Sequence, residues 1–196
     1  MAPPRGTADT FWQLRPVRDD AAEAAAILDA FASAPDMARQ GDVTDAESAR
    51  TYLAWLTGKG QVSTALVDGE DRMVGLVGLV VDEQNRTGWM HYWLRAEHRG
   101  AGLMARAAAT VANRALRPGE EGGFGLERLE LGHRVNNPAS GAVARAAGFV
   151  HEGTERAKFL IDGERIDVLT YGRLREDPVP ETAELPWQTG SGAPLP

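Results

Sequence analysis

Trp89-Met90-His91-Tyr92-Trp93-Leu94-Arg95-Ala96-Glu97-His98-Arg99-Gly100-Ala101-Gly102-Leu103-Met104 is the stretch on which the fold turns. Its aromatic and apolar first half reads as a strand. Gly100 and Gly102 then allow a tight backbone turn. A helix follows at once, because Ala105, Ala107, Ala108, Ala109 and Ala112 are strong helix formers and Pro118-Gly119 stops them. A strand running through such a turn into a helix presents free backbone N–H groups at the helix N-terminus. That arrangement suits a phosphate or pyrophosphate; the other reading is a tight turn with no ligand.

Two phosphate-binding patterns are excluded. Ala105 stands where the third glycine of a dinucleotide loop would be, and no Gly-Lys-Ser/Thr follows, so this is not a P-loop. Arg99-Gly100-Ala101-Gly102-Leu103-Met104 instead resembles the acyl-CoA loop of the GCN5-related N-acetyltransferases (GNAT), Arg/Gln-x-x-Gly-x-Gly/Ala. Met104 departs from the usual small last residue. That Met and the Tyr92-Trp93-Leu94 strand are similar to the RimJ/RimL-like branch, which acetylates ribosomal-protein N-termini.

Composition narrows the classes. A chain of 196 residues is long enough for one domain with a full core, and 43% hydrophobic with 25% charged content is ordinary for a globular protein. No apolar run reaches the ~18 residues of a membrane helix and no signal peptide is visible, so a cytoplasmic location is expected. The absence of Cys excludes a thiol nucleophile, disulfides and Cys-based metal sites, and no metal site is expected. A net charge of −7 argues against nucleic acid and anionic membrane surfaces, and is compatible with a cationic substrate. Lys occurs only at Lys59 and Lys158, which with the abundance of Ala suggests a GC-rich bacterial genome.

Outward from the loop, the chain reads as a mixed α/β (α+β) domain over 10–175 between a flexible tail at 1–9 and a Pro/Gly/acid-rich tail at 176–196. Phe11 to Val17 is a first strand. Asp19-Asp20 caps a helix through Phe31, and Pro35 to Asp42 is a loop. Thr44 and Glu47 form a capping-box pair for a helix carrying Tyr52, Leu53 and Leu56. Gln61–Val67 and Met73–Val81 form a hairpin, the second strand apolar throughout and so covered on both faces. After the glycine loop and its helix come a strand at Leu126–Leu131, a helix at Asn137–Ala147 with Pro138 in its first turn, and a hairpin of Lys158–Ile161 with Arg165–Leu174. This order matches, element by element, the GNAT fold that the resemblance implies: a mostly antiparallel central sheet flanked by helices.

A second constellation, His133-Arg134-Val135-Asn136-Asn137-Pro138-Ala139-Ser140, reads on its own as a plain helix start. In the resembled family Asn-x-x-Ser recurs at this point, about forty residues after the first loop. The resemblance then implies roles. Acetyl-CoA is the acyl donor, its pyrophosphate on the N–H groups of Arg99, Gly100, Ala101, Gly102, Leu103 and Met104. Backbone N–H groups of Trp93 and Leu94, where the central strands part, face the pantetheine arm and the thioester oxygen. Asn137 holds the CoA arm and Ser140 lies near the leaving sulfur. The tyrosine acid of many members is missing, since Ala144 occupies its place.

The amine attacks the thioester directly, so the protein orients two substrates, stabilises an oxyanion and accepts a proton. His91, on the same strand face as Trp93 and with a near-neutral pKa, is the base candidate, and Glu83 and Glu97 are alternatives. The expected function is acetyl transfer to a primary amine, a peptide N-terminus in the branch resembled. A small-molecule amine (an amino-sugar, a polyamine or an antibiotic) and a non-catalytic acyl-CoA-binding protein remain as alternatives. The partners expected are acyl-CoA and the amine acceptor, with no nucleic acid and no membrane; a homodimer is left open.

Overall fold

The structure, a computed structural model, describes residues 12–188; the expected N-terminal tail, the start of the first strand at Phe11 and the last eight residues lie outside them. The chain runs β1 (Gln13–Pro16), α1 (Ala21–Ala32), a 3-10 turn (Pro35–Arg39), α2 (Ala46–Leu56), β2 (Gln61–Val67), β3 (Met73–Asp82), β4 (Thr87–Leu94), α3 (Leu103–Leu116), β5 (Arg128–Arg134), α4 (Pro138–Ala146), β6 (Val150–Ile161) and β7 (Glu164–Leu174). One seven-stranded sheet is ordered β1-β2-β3-β4-β5-β7-β6. Every neighbouring pair is antiparallel except β4 and β5. Strand–strand alternation divides the core between two faces. Leu76 and Trp93 pack with α1 and α2 on one. Val77, Leu79, Met90 and Leu94 pack with α3 on the other. The first seven residues of β3 are buried, as a strand covered on both faces should be.

The parallel pair is the irregular one. β4 pairs with β5 only from Thr87↔Arg128 to Trp89↔Glu130. Beyond that point β4 stays with β3 as far as Leu94↔Gly75, while β5 stays with β7 as far as Arg134↔Val168. The sheet therefore splits between β4 and β5, and the N-terminus of α3 stands at the end of β4 beside the split.

Local chemistry moves several boundaries. The capping box of α2 is Asp45 with Ser48, not Thr44 with Glu47. The Asp45 carboxylate accepts the N–H groups of Glu47 and Ser48, and the Ser48 hydroxyl accepts the Asp45 N–H, so a carboxylate cap displaces the weaker hydroxyl one residue earlier. The expected loop at 35–42 contains a 3-10 turn that buries Met37. β5 begins at Arg128 rather than Leu126, which is buried in the loop before it. β6 is one long strand from Val150, with register breaks at His151/Gly153 and Glu155/Phe159.

The largest correction concerns the segment after Leu174, expected to be a tail. It crosses back over α3 and runs alongside β1. Leu14 donates its N–H to Pro186 O (2.8 Å) and accepts the N–H of Gln188 (2.8 Å), which makes a parallel bridge with Trp187. Leu185 is buried at 3% exposure, and Arg114 lies 4.4 Å over the Trp187 ring. The carboxylate of Glu184 accepts from Asn113, whose own carbonyl accepts from the buried Arg173. Leu185→Ala is expected to cost about 2–4 kcal/mol in urea denaturation, as for other buried Leu truncations; a loose tail would show no change.

Among the described residues no helix is long and apolar enough to cross a membrane, and no cluster of three His, Asp or Glu side chains could hold a metal.

Candidate active site

The turn before α3 is built on two left-handed glycines, Gly100 (φ +86°) and Gly102 (φ +75°), with open space where a Cβ would stand. Gly102 is the N-cap, and the first intrahelical bond runs from Arg106 N–H to Gly102 O (3.1 Å). No carbonyl or side chain among the described residues accepts the N–H groups of Gly100 through Ala105. No acidic side chain sits in the first turn of α3. The result is a cluster of unpaired donors with a favourable helix dipole, an anion site by its chemistry. It borders a cavity of about 510 Å³ that fills the mouth of the β4/β5 split, lined by Tyr92, Trp93, Leu94, the glycine turn, Asn137 and Ser140. Of the turn residues, Ala101 does not reach this cavity.

The two expected backbone donors on β4 separate. Arg95 N–H donates to Val74 O on β3 (3.0 Å). Because antiparallel pairs alternate, the N–H of Trp93 also turns toward β3, while those of Tyr92 and Leu94 turn toward the split, where β5 has departed. The Trp93 N–H is thus taken up on the β3 side, contrary to expectation, and the N–H groups that face the split are those of Tyr92 and Leu94. The indole of Trp93 still lines the cavity and donates to the Tyr52 hydroxyl (3.2 Å).

The Arg99 side chain is committed within the protein. Its Nε donates to Leu94 O (2.9 Å), and its Nη1 holds both carboxylate oxygens of Asp36 (2.9 and 3.0 Å), tying the 3-10 turn to the glycine turn.

Asn137 caps α4, its side-chain oxygen accepting the Ser140 N–H (3.3 Å). Pro138 at the first helical position needs no such partner. The cap brings Ser140 against β4, where its Oγ lies 2.8 Å from the Tyr92 hydroxyl, which is also 3.0 Å from Ser140 O. Burial pushes the Tyr92 phenol up to about 12, so it remains a hydrogen-bond donor at neutral pH. Ala144, the position of the missing tyrosine, is fully buried and borders neither cavity. In the sequence Tyr92 stands only within the strand that resembles the RimJ/RimL-like branch, with no role at the site. The signal was there: period-2 alternation puts Tyr92 and Leu94 on the face opposite His91 and Trp93.

A second cavity of about 200 Å³ continues past this point between β4 and β5, sharing Gln40, Tyr92, Asn137 and Ser140 with the first. His91 lines it. Its ring rests on the Trp55 indole (centroids 5.2 Å apart) and over Gly78, where a Cβ would overlap it. Its Nε2 is buried without a hydrogen-bond partner. Burial lowers the imidazole pKa to about 4, which corrects the expectation of a near-neutral base. Glu83 and Glu97 border neither cavity, and Glu97 is paired with Arg95 (2.8 Å). His98 packs edge-on against Trp12, outside both.

A folded-state pKa below the unfolded value of about 6.5 means that the unfolded chain takes up this proton first. The stability linked to His91 is therefore complete above about pH 6.5 and is lost as pH falls toward 4. Two results are expected: an NMR titration of His91 centred near 4, and no histidine inflection between about pH 5.5 and 8 in the kcat profile. An inflection there that disappears in His91→Asn would restore the near-neutral base.

Residues 13–150 match the family model for the acetyltransferase (GNAT) domain. The chain is 30% identical over 118 residues to the ribosomal-protein-serine acetyltransferase of Escherichia coli (strain K12); the match covers 59% of this chain and 63%, less than two thirds, of that protein. Among solved structures, it resembles a RimL ribosomal L7/L12 alpha-N-protein acetyltransferase in complex with coenzyme A (TM-score 0.71, 22% identity, 86% of this chain and 96% of that one). It also resembles a spermidine N-acetyltransferase SpeG chimera from Vibrio cholerae and hSSAT (TM-score 0.67, 22% identity, 84% and 95%). At these identities the two structures speak for the fold alone.

Proposed function

This chain belongs to the acetyltransferase (GNAT) family, and from that premise we propose that it moves an acetyl group from acetyl-CoA to the α-amine of a protein or peptide N-terminus in the cytoplasm of a bacterium. The observation that carries the reading is the junction at Tyr92 and Ser140. There the larger cavity, bordered by Gly100 and by Gly102 to Ala105 with their unpaired N–H groups, meets a smaller one open to a second substrate. The name of the E. coli relative supports the acceptor class.

In this reading the donor's pyrophosphate lies on the N–H groups that open α3, Asn137 faces its pantetheine arm, and the thioester sits in the split beside the N–H groups of Tyr92 and Leu94. The amine nitrogen attacks the carbonyl carbon, the C–N bond forms, the electron pair of the C–S bond leaves on sulfur, and the nitrogen gives up one proton to solvent. The N–H groups stabilise the oxyanion. When Tyr92 donates to Ser140 Oγ, the serine proton is free to point at the departing thiolate. A phenol near 12 against a thiol near ~8.5 makes net proton transfer uphill by roughly 5 kcal/mol. Ser140 and Tyr92 therefore stabilise the thiolate by hydrogen bonding, and its proton comes from solvent.

The lack of a strong base favours an α-amine. Neither cavity offers an unpaired carboxylate, and His91 at about 4 is a weak base. An α-amino group with pKa near ~8 is roughly a tenth free base at pH 7, whereas an ε-amine near ~10.4 is below about one part in a thousand. Labelled acetyl-CoA with matched peptides, one free and one blocked at its N-terminus, tests the reading. Label is expected on the free peptide only; label on lysine side chains alone would sink it. Ser140→Ala is expected to lower kcat by one hydrogen bond's worth, ~0.5–1.5 kcal/mol, or about 2- to 13-fold.

A further inference from the structure

We propose that the smaller cavity selects amines carrying a carboxylate or other anionic group a few bonds from the nitrogen, and that Arg39 and Arg134 bind that group; on the function proposed above, this is a peptide N-terminus followed by acidic residues. The inference rests on that function and adds the chemistry of the acceptor.

The charged and titratable groups around this cavity are Arg39, His91, Tyr92, His133 and Arg134, with no Asp or Glu among them. On a chain of net charge −7, a cavity with two guanidiniums and no carboxylate is a local reversal of sign. The two arginines come from different elements, Arg39 from the end of the 3-10 turn and Arg134 from the end of β5. Neither makes an ion pair among the described residues. Arg15, Arg18, Arg72, Arg86, Arg95, Arg99 and Arg128, by contrast, each hold a carboxylate within 3.1 Å. The contact Arg134 does make is with the Phe159 ring, 5.7 Å from its centroid, on the cavity wall. Its pKa is pushed below the ordinary arginine value by burial first and by the charge of Arg39 second. Exposed Arg39 and half-buried Arg134 thus put two like charges on one cavity wall, with no carboxylate among its lining residues. A carboxylate placed between them relieves the repulsion and can engage either guanidinium through two hydrogen bonds.

The histidines do not compete for this role. His133 bonds Arg134 O through Nδ1 (2.9 Å) and faces the Tyr171 hydroxyl through Nε2 (3.4 Å), and His91 is the desolvated imidazole already described. The acidic side chains of Asp42, Asp45 and Glu47 line a different, open concavity over α2. A polyamine entering the smaller cavity would meet two like charges, so the same residues act against it.

The test is steady-state acetyl transfer at saturating acetyl-CoA with Ser-Glu-, Ser-Gln- and Ser-Lys-leading peptides, free serine, serine amide and spermidine. The Ser-Glu peptide is expected to exceed the Ser-Gln peptide by about 10-fold or more in kcat/KM, with Ser-Lys and spermidine below both. Serine against serine amide shows whether an α-carboxylate is read as well as a side-chain one. Arg39→Gln and Arg134→Gln are each expected to raise KM for the acidic peptide several-fold. The double variant should bring it down to the neutral peptide, with KM for acetyl-CoA and the melting temperature unchanged. Equal use of acidic and neutral peptides, preference for spermidine, or an equal loss on all acceptors in folded variants would overturn the proposal. Transfer to none of these amines would overturn the acetyltransferase function itself, an outcome separable from loss of selectivity.

Discussion

Gly102→Glu is expected to lower the affinity for CoA by ~10-fold or more in isothermal titration, at least about 1.4 kcal/mol. The wild-type turn offers a run of unpaired N–H donors at the positive end of a fourteen-residue helix, with no acidic side chain in its first turn. Glutamate at the N-cap puts a carboxylate in the place of the ligand's own negative charge. It also strains a backbone at φ +75°, a cost of order 1 kcal/mol for a residue with a Cβ. Gly102→Ala separates the two effects, because space for the methyl group is open and only the strain remains. The alanine variant is expected to bind CoA more tightly than the glutamate variant by most of the total loss. Equal affinity in the two variants would assign the whole effect to backbone strain and remove the anion-site reading.

The largest expected effect on stability lies at the β1 edge of the sheet. Arg15, 3% exposed, donates to the buried Glu23 (2.6 Å) and to Asp71 (2.8 Å), which also pairs with Arg18. Among the described residues Glu23 has no other partner for its side chain, and its Oε2 is buried and unsatisfied. Arg15→Met leaves that carboxylate buried and alone, and breaking a buried pair in this way costs about 3–5 kcal/mol. Arg15→Met with Glu23→Leu should recover most of the loss, because two apolar residues need no partner. Urea denaturation of the wild type, the two single variants and the double variant gives the coupling energy directly. Additive effects, with no recovery in the double variant, would show that the pair is not the origin of the loss.

The order of elements was legible in the sequence because the decisive signals are local. An apolar run, two glycines and an alanine-rich segment set β4, the turn and α3, and Asn137-Pro138 set the start of α4. What the sequence could not convey depends on neighbours. Which N–H groups of β4 are free follows from the strand that takes the alternate hydrogen bonds, so Trp93 and Tyr92 exchange roles through pairing alone. The His91 pKa follows from burial against Trp55 and the room left by Gly78, which lie 36 and 13 positions away. Arg39 and Arg134 are unremarkable as letters and become a pair only when the 3-10 turn meets the end of β5. Leu185 and Trp187 were passed over because isolated apolar residues among Pro, Gly and acidic ones carry no period.

The pairing of Leu14 with the stretch around Trp187 has a consequence for biosynthesis. β1 leaves the ribosome ahead of the other described elements, and the segment that covers its outer edge is made roughly 170 residues later, ~10–35 s at translation rates of 5–20 residues per second. During that interval the outer hydrogen-bonding row of β1 is open to any extended chain nearby. The closing segment can dock only once it has itself been made, and a chain stalled before Leu185 is held with that edge bare.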